Sequence, residues 1–150
     1  TVMISPEALR RYHYFANIGE QSLKALAMIA EEKDVPAGTE MFREGDPANV
    51  LHVITQGEVE IRYLLGTGEE RAVDTLVAGE LLCWSALIEP YKATAIGTAV
   101  KDTHLICLDA KKVRELCDAE PLLGYQLTKA IAKLLALRLE SARVQLAAVD

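Results

Sequence analysis

The 150-residue sequence predicts a mainly β domain, an antiparallel β-roll with helices before it and a long helix after it. Three observations carry that reading. Between Val35 and Asp109, short runs of alternating character are cut by turn residues about every ten positions, as in small antiparallel barrels and double-sheet rolls. Before this stretch, apolar residues recur at helical spacing over residues 5–32. After it, residues 110–148 return to the same period. At this length the chain reads as a single domain, and its 51% hydrophobic content is enough for a core without disulfides or a structural metal.

The first helical region opens on Ser5-Pro6-Glu7, a capping residue, a proline suited to the first turn and an early acid. Leu9, Tyr12, His13 and Ala16 follow at helical spacing. Asn17-Ile18-Gly19 interrupts them, and Leu23, Leu26, Ala27 and Ala30 resume the period as far as Lys33. The charged run Glu31-Glu32-Lys33-Asp34 is then expected to be a solvated helix end.

Across the roll, turns are expected at Pro36-Ala37-Gly38, Glu44 to Pro47, Gln56-Gly57, Gly66-Thr67-Gly68, Ala78-Gly79 and Lys101-Asp102. The segments between them, 39–43, 50–55, 59–65, 71–77, 94–100 and 103–108, are the predicted strands. Residues 58–63 alternate charged with apolar, the pattern of a sheet with one wet face. Gly66-Thr67-Gly68 lacks the lysine and following helix of a phosphate loop and reads as a hairpin turn.

In the last region Asp109 is placed to cap a short helix through Leu116, and Pro121 starts a helix of about 25 residues. Two apolar stripes run along it. Leu123, Leu127, Ala130, Leu134, Leu137, Ser141, Val144 and Ala148 form one, and Ile131, Leu135, Leu139, Ala142 and Leu146 the other. A surface helix needs only one buried stripe. Either the helix is sunk deep in its own domain, or one stripe meets a partner helix as in a coiled coil. The second arrangement predicts a homodimer with a seam of Leu127, Leu134 and Leu137.

Composition excludes several functions. Sixteen basic against 22 acidic residues give a net charge of −6, which argues against a nucleic-acid surface on this chain. No apolar run approaches the roughly 20 residues of a membrane span, and no signal pattern opens the sequence. Cys83, Cys107 and Cys117 are too scattered for a disulfide framework or cluster, and His13, His52 and His104 show no ligand spacing. No nucleophile–base pair or catalytic carboxylate pair stands out. The reading is a cytoplasmic, non-enzymatic protein with no metal site.

Three motifs in order add a resemblance. Residues 36–46, with an early glycine and then Gly45-Asp46, the strand–Gly–strand run at 51–59, and Ala78-Gly79-Glu80-Leu81-Leu82 together resemble the cyclic nucleotide-binding domain of the catabolite-activator and fumarate–nitrate regulator superfamily. The resemblance implies a β-roll of the double-stranded β-helix type and a regulatory ligand-sensing role. It also implies a phosphate-binding cassette in which Gly79, Glu80, Leu81 and Leu82 open a short helix, with Glu80 on the ribose. Thr128 and Gln126 of the long helix would reach over the base. The family's arginine before the next strand is missing. Matching Ala93-Thr94-Ala95 to that pattern puts Tyr91 in its place, with Lys92 the nearest cation. Cys83-Trp84-Ser85 look like added length. cAMP or cGMP is the ligand so implied, bound weakly. Otherwise the pocket is retuned to another ligand, or it is vestigial in a dimerisation or scaffold domain, with Trp84, Tyr91 and Lys92 lining or filling it. In transcription-factor members a helix-turn-helix module follows the long helix, and residues 1–150 contain none.

Overall fold

The computed structural model describes residues 4–148. α1, Pro6–Arg10, is capped by the Ser5 hydroxyl, which accepts from the Ala8 amide at 3.2 Å. Turns lead to α2, Glu20–Met28, which buries Leu23, Leu26 and Ala27. The helical period does not continue to Lys33 as expected. Ala30–Val35 is strand β1, so the helices end at Met28 and the roll begins at Ala30 rather than Val35. Four consecutive charges cannot sit on the buried stripe of a helix. As an edge strand they lie exposed between buried Ala30 and Val35, and charge on an edge discourages further pairing.

The other strands are β2 (Glu40–Phe42), β3 (Val50–Gln56), β4 (Glu58–Leu64), β5 (Glu70–Val77), β6 (Leu81–Leu82), β7 (Ile96–Ala99) and β8 (Thr103–Asp109). They form two antiparallel four-stranded sheets, ordered β1-β8-β3-β6 and β2-β7-β4-β5. The six predicted strands are all present within a residue or two, and this is the expected roll. β6 escaped the sequence because two apolar residues carry no period. Val35, Ile54, Val59, Leu76, Leu82, Ala99 and Leu105 fill the space between the sheets. A second core joins the outer face of the first sheet to the helices.

His104 on β8 clips the edge strand. Its Nδ1–H donates to Asp34 at 2.6 Å, and Nε2 lies 3.6 Å from Glu32. The hydrogen bond to Asp34 holds the imidazole pKa above its ordinary value of 6.5, against a smaller opposing effect of burial. A raised folded pKa means that this clip stabilises the fold fully below the unfolded pKa. Its contribution is lost as pH rises through the folded one. An NMR titration of the His104 ring should place its midpoint above 6.5, and His104→Gln should remove that part of the pH dependence. A midpoint at or below 6.5 would refute the clip.

α3, Ala110–Ala119, is capped by Asp109, which accepts from the Lys112 amide at 3.0 Å, and runs three residues beyond Leu116. α4 is the long helix, Pro121–Ala147. Its buried residues are Leu123, Leu127, Ile131 and Leu134, drawn from both predicted stripes. Leu127 and Leu134 therefore pack in the core of their own chain, at 3% and 8% exposure, and do not form the expected seam. Leu137, the third seam residue, is 67% exposed. Apolar spacing marks faces of a helix, but which face turns inward depends on the sheet and helices that meet it. Among the described residues no helix is long and apolar enough to cross a membrane.

Candidate functional site

A cavity of about 620 Å³ lies between the β4–β5 side of the roll and the second half of α4. Phe42, Ile61, Tyr63 and Leu76 line it from the sheet. Leu82 to Ser85 form one end, Ala93 to Ala95 another wall, and Leu135, Arg138 and Leu139 face it from α4.

The loop at its end is held in an uncommon conformation. β6 runs into Cys83, whose φ of +63° lies in the left-handed region, and a single 3-10 turn, Trp84–Leu87, follows. Tyr91 has φ +58° at the far side of the same loop. Non-glycine residues rarely adopt such angles and keep them only where neighbours fix them. Arg114 of α3 provides that support. Its Nη1 donates to the Ala86 carbonyl at 2.6 Å, and its guanidinium stacks 4.1 Å from the Tyr91 ring centre.

The expected site residues divide sharply. Gly79 and Glu80 close the turn between β5 and β6, where the Glu80 carboxylate accepts from the Val77 amide at 2.7 Å. Leu81 is buried in the core, its amide donating to the Tyr14 hydroxyl at 3.2 Å. Tyr91 packs against Arg114, and Lys92 is exposed where it bridges Pro47. Thr128 is exposed on α4, and Gln126 donates to the Asn17 carbonyl at 3.0 Å. None of these lines the cavity; of the eight expected ligand-binding residues only Leu82 and Ala93 do. The short helix that a cassette requires starts four positions past Glu80, at Trp84. Cys83 and Trp84 thus stand where the resemblance implied a Gly-Glu pair. The segment read as added length is the one that leads into this 3-10 turn.

Two residues missed by the sequence reading supply the cavity's positive charge. Arg138 Nη2 donates to the Leu81 carbonyl at 2.8 Å, tying α4 to β6, while its buried Nε has no acceptor. A buried donor left unmet costs about 1–3 kcal/mol. Arg71 lines the opposite wall, and among the described residues Asp74 is the one lining acid. A signal for Arg138 existed, since it is a charge set between Leu137 and Leu139 after an apolar stretch of helix. Trp84 lines the cavity, one of the alternatives its sequence position left open.

Burial pushes the Cys83 thiol up to about 12 and that of Cys107 to about 11, so both are protonated near neutrality. Burial lowers His52 to about 4, leaving a neutral ring 3.3 Å from Cys107 Sγ. Among the described residues no three potential metal ligands cluster.

Residues 32–120 match the family described as the cyclic nucleotide-binding domain. The chain is 34% identical over 112 residues to the cyclic AMP receptor protein of Thermus thermophilus, covering 74% of this chain and 50% of that protein. It is 23% identical over 127 residues to the CRP-like cAMP-activated global transcriptional regulator of Mycobacterium tuberculosis, 85% of this chain and 57% of that one. The chain therefore spans about half the length of these relatives. A crystal structure of a putative cyclic nucleotide-binding protein from Geobacter metallireducens superposes with a TM-score of 0.84 at 34% identity, covering 91% of this chain and 99% of the other.

Proposed function

Because the chain belongs to the cyclic nucleotide-binding domain family, we propose that residues 1–150 act together as a non-enzymatic, cytoplasmic ligand sensor. A small molecule in the cavity changes the packing of α4 on the roll, and a partner reads the change. One observation carries this reading: the second half of α4 forms a wall of the cavity and is tied to β6 by the Arg138–Leu81 bond. Occupancy cannot then alter that wall without altering the helix. Exposed Leu137 and Val144, seven residues apart on α4, suit a second copy of the chain as the reader. The net charge of −6 favours such a partner over nucleic acid for this chain alone.

Cyclic nucleotides should bind weakly. Neither Glu80 nor an arginine faces the cavity from the cassette. Each missing charge-assisted bond is worth roughly 1.5–3 kcal/mol, a loss of about ten- to a hundredfold in affinity. Tyr91→Arg, the repair that the sequence alone suggests, should bring no gain because residue 91 packs outside the cavity on Arg114. Calorimetry with cAMP and cGMP on both proteins tests this, and nanomolar binding by the wild type, or a tenfold gain in the variant, would contradict it. Hydrogen exchange tests the sensor reading itself. A ligand that fills the cavity should change amide protection in residues 135–146. Binding without such a change would count against the sensor reading, and no binding at all would favour a scaffold with a vestigial pocket.

A further inference from the structure

We propose that the molecule this cavity is built for is a hydrophobic monocarboxylate, its carboxylate held by Arg138 and its apolar body laid between Trp84 and the leucines of α4. The inference rests on the sensor reading above and names its ligand class.

The walls are chiefly apolar. Ile61, Leu76, Leu82 and Trp84 face α4 across the cavity. On the helix side Leu139 and Leu146 line it yet are 53% and 73% exposed, apolar surface that a ligand body would cover. The volume of about 620 Å³ falls within the roughly 300–1,000 Å³ typical of small-molecule sites. Tyr63, Ser85, Thr94 and Ser141 add hydroxyls to the lining, but among the described residues Asp74 is the sole lining acid, and it already accepts from the Thr75 amide at 2.9 Å.

The charge points to an anion. Arg138 and Arg71 oppose that single carboxylate. The Arg138 guanidinium spends Nη2 on the Leu81 carbonyl, and its Nε has no acceptor but is closed to water, so a carboxylate reaches that donor only if the side chain shifts. A guanidinium matches a carboxylate in shape as well as charge, and their attraction strengthens away from bulk water. Because Arg138 also grips Leu81, a carboxylate competing for its donors would loosen the tie between α4 and β6. The same contact would thus bind the ligand and report it.

The sole tryptophan, Trp84, lines the cavity and supplies the readout. Decanoate, 1-decanol and cAMP would be titrated separately, below any micelle concentration, while Trp84 emission is followed. Decanoate should shift the emission and bind at least tenfold more tightly than 1-decanol, about 1.4 kcal/mol. Arg138→Gln should abolish that preference, so that the variant binds decanoate no more tightly than 1-decanol, with far-UV circular dichroism confirming the fold. The comparison of the two probes on the wild type stands even if the variant fails to fold. Equal binding of decanoate and 1-decanol would overturn the carboxylate assignment and leave the sensor reading intact. Tighter binding of cAMP than decanoate would also overturn the assignment. No response to any of the three would count against both this assignment and the sensor reading.

Discussion

Leu134→Glu should destabilise the protein by about 3–5 kcal/mol rather than produce a well-folded monomer. Leu134 is 8% exposed and packs with Leu127 and Ile131 against the chain's own core. A glutamate there loses the leucine's buried area and brings a carboxyl into an apolar site. It must either ionise without a partner or stay protonated at neutral pH, and both are costly. Leu137→Glu, only three residues on, should shift stability by less than about 0.5 kcal/mol, because its side chain is 67% exposed. It should nevertheless weaken self-association, if Leu137 and Val144 meet a second copy. Urea denaturation and sedimentation on the two variants separate these effects. A folded, wild-type-stable Leu134→Glu monomer would show that the residue faces a partner and not the core.

Gly57→Ala should cost about 3–4 kcal/mol, combining backbone strain with a steric clash. Gly57 joins β3 to β4 with φ +106°, and a Cβ there would lie 2.5 Å from Thr103 Oγ1 and 2.7 Å from the Asp102 carbonyl. Thr103 is buried and its hydroxyl is engaged with the Lys101 carbonyl at 2.8 Å, so the neighbour has little room to yield. Gly79→Ala is the internal control. That glycine has φ +94° but open space around its missing Cβ, and strain alone should cost about 1–2 kcal/mol. Equal midpoints for the two variants in urea would mean that the β3–β4 turn relaxes away from β8.

Both variants bear on the site indirectly, because the cavity borrows its walls from elements fixed elsewhere. The β3–β4 turn registers β4 against β7, and β4 carries Ile61 and Tyr63 into the cavity. Burial of Leu127 and Leu134 sets the rotation of α4, and that rotation turns Leu135, Arg138 and Leu139 toward the roll. Losing the core contacts of α4 should therefore remove ligand response before the sheets themselves unfold.

Six of the eight strands, their turns and the Ser5 and Asp109 helix caps were legible in the sequence because each is a local matter. Alternation needs only neighbours two apart, and Ser5 and Asp109 cap amides three residues on. The Gly45-Asp46 and Gln56-Gly57 turns likewise declare themselves by residue type. Where local preference and long-range pairing disagreed, the tertiary structure decided. Ala30 to Asp34 kept a helical period on paper, yet pairing with β8 made them an edge strand. Gly79-Glu80 had the right residues for a cassette, but Glu80 is satisfied by Val77 within its own turn, and the left-handed conformation that precedes the short helix fell to Cys83. Arg138 lies 57 positions from the Leu81 carbonyl it binds, so no window of sequence could join them. The same holds for α4, where two apolar stripes were plain and the inward one was not. A period records which residues share a face, and only the packing of the whole chain chooses the face that is buried.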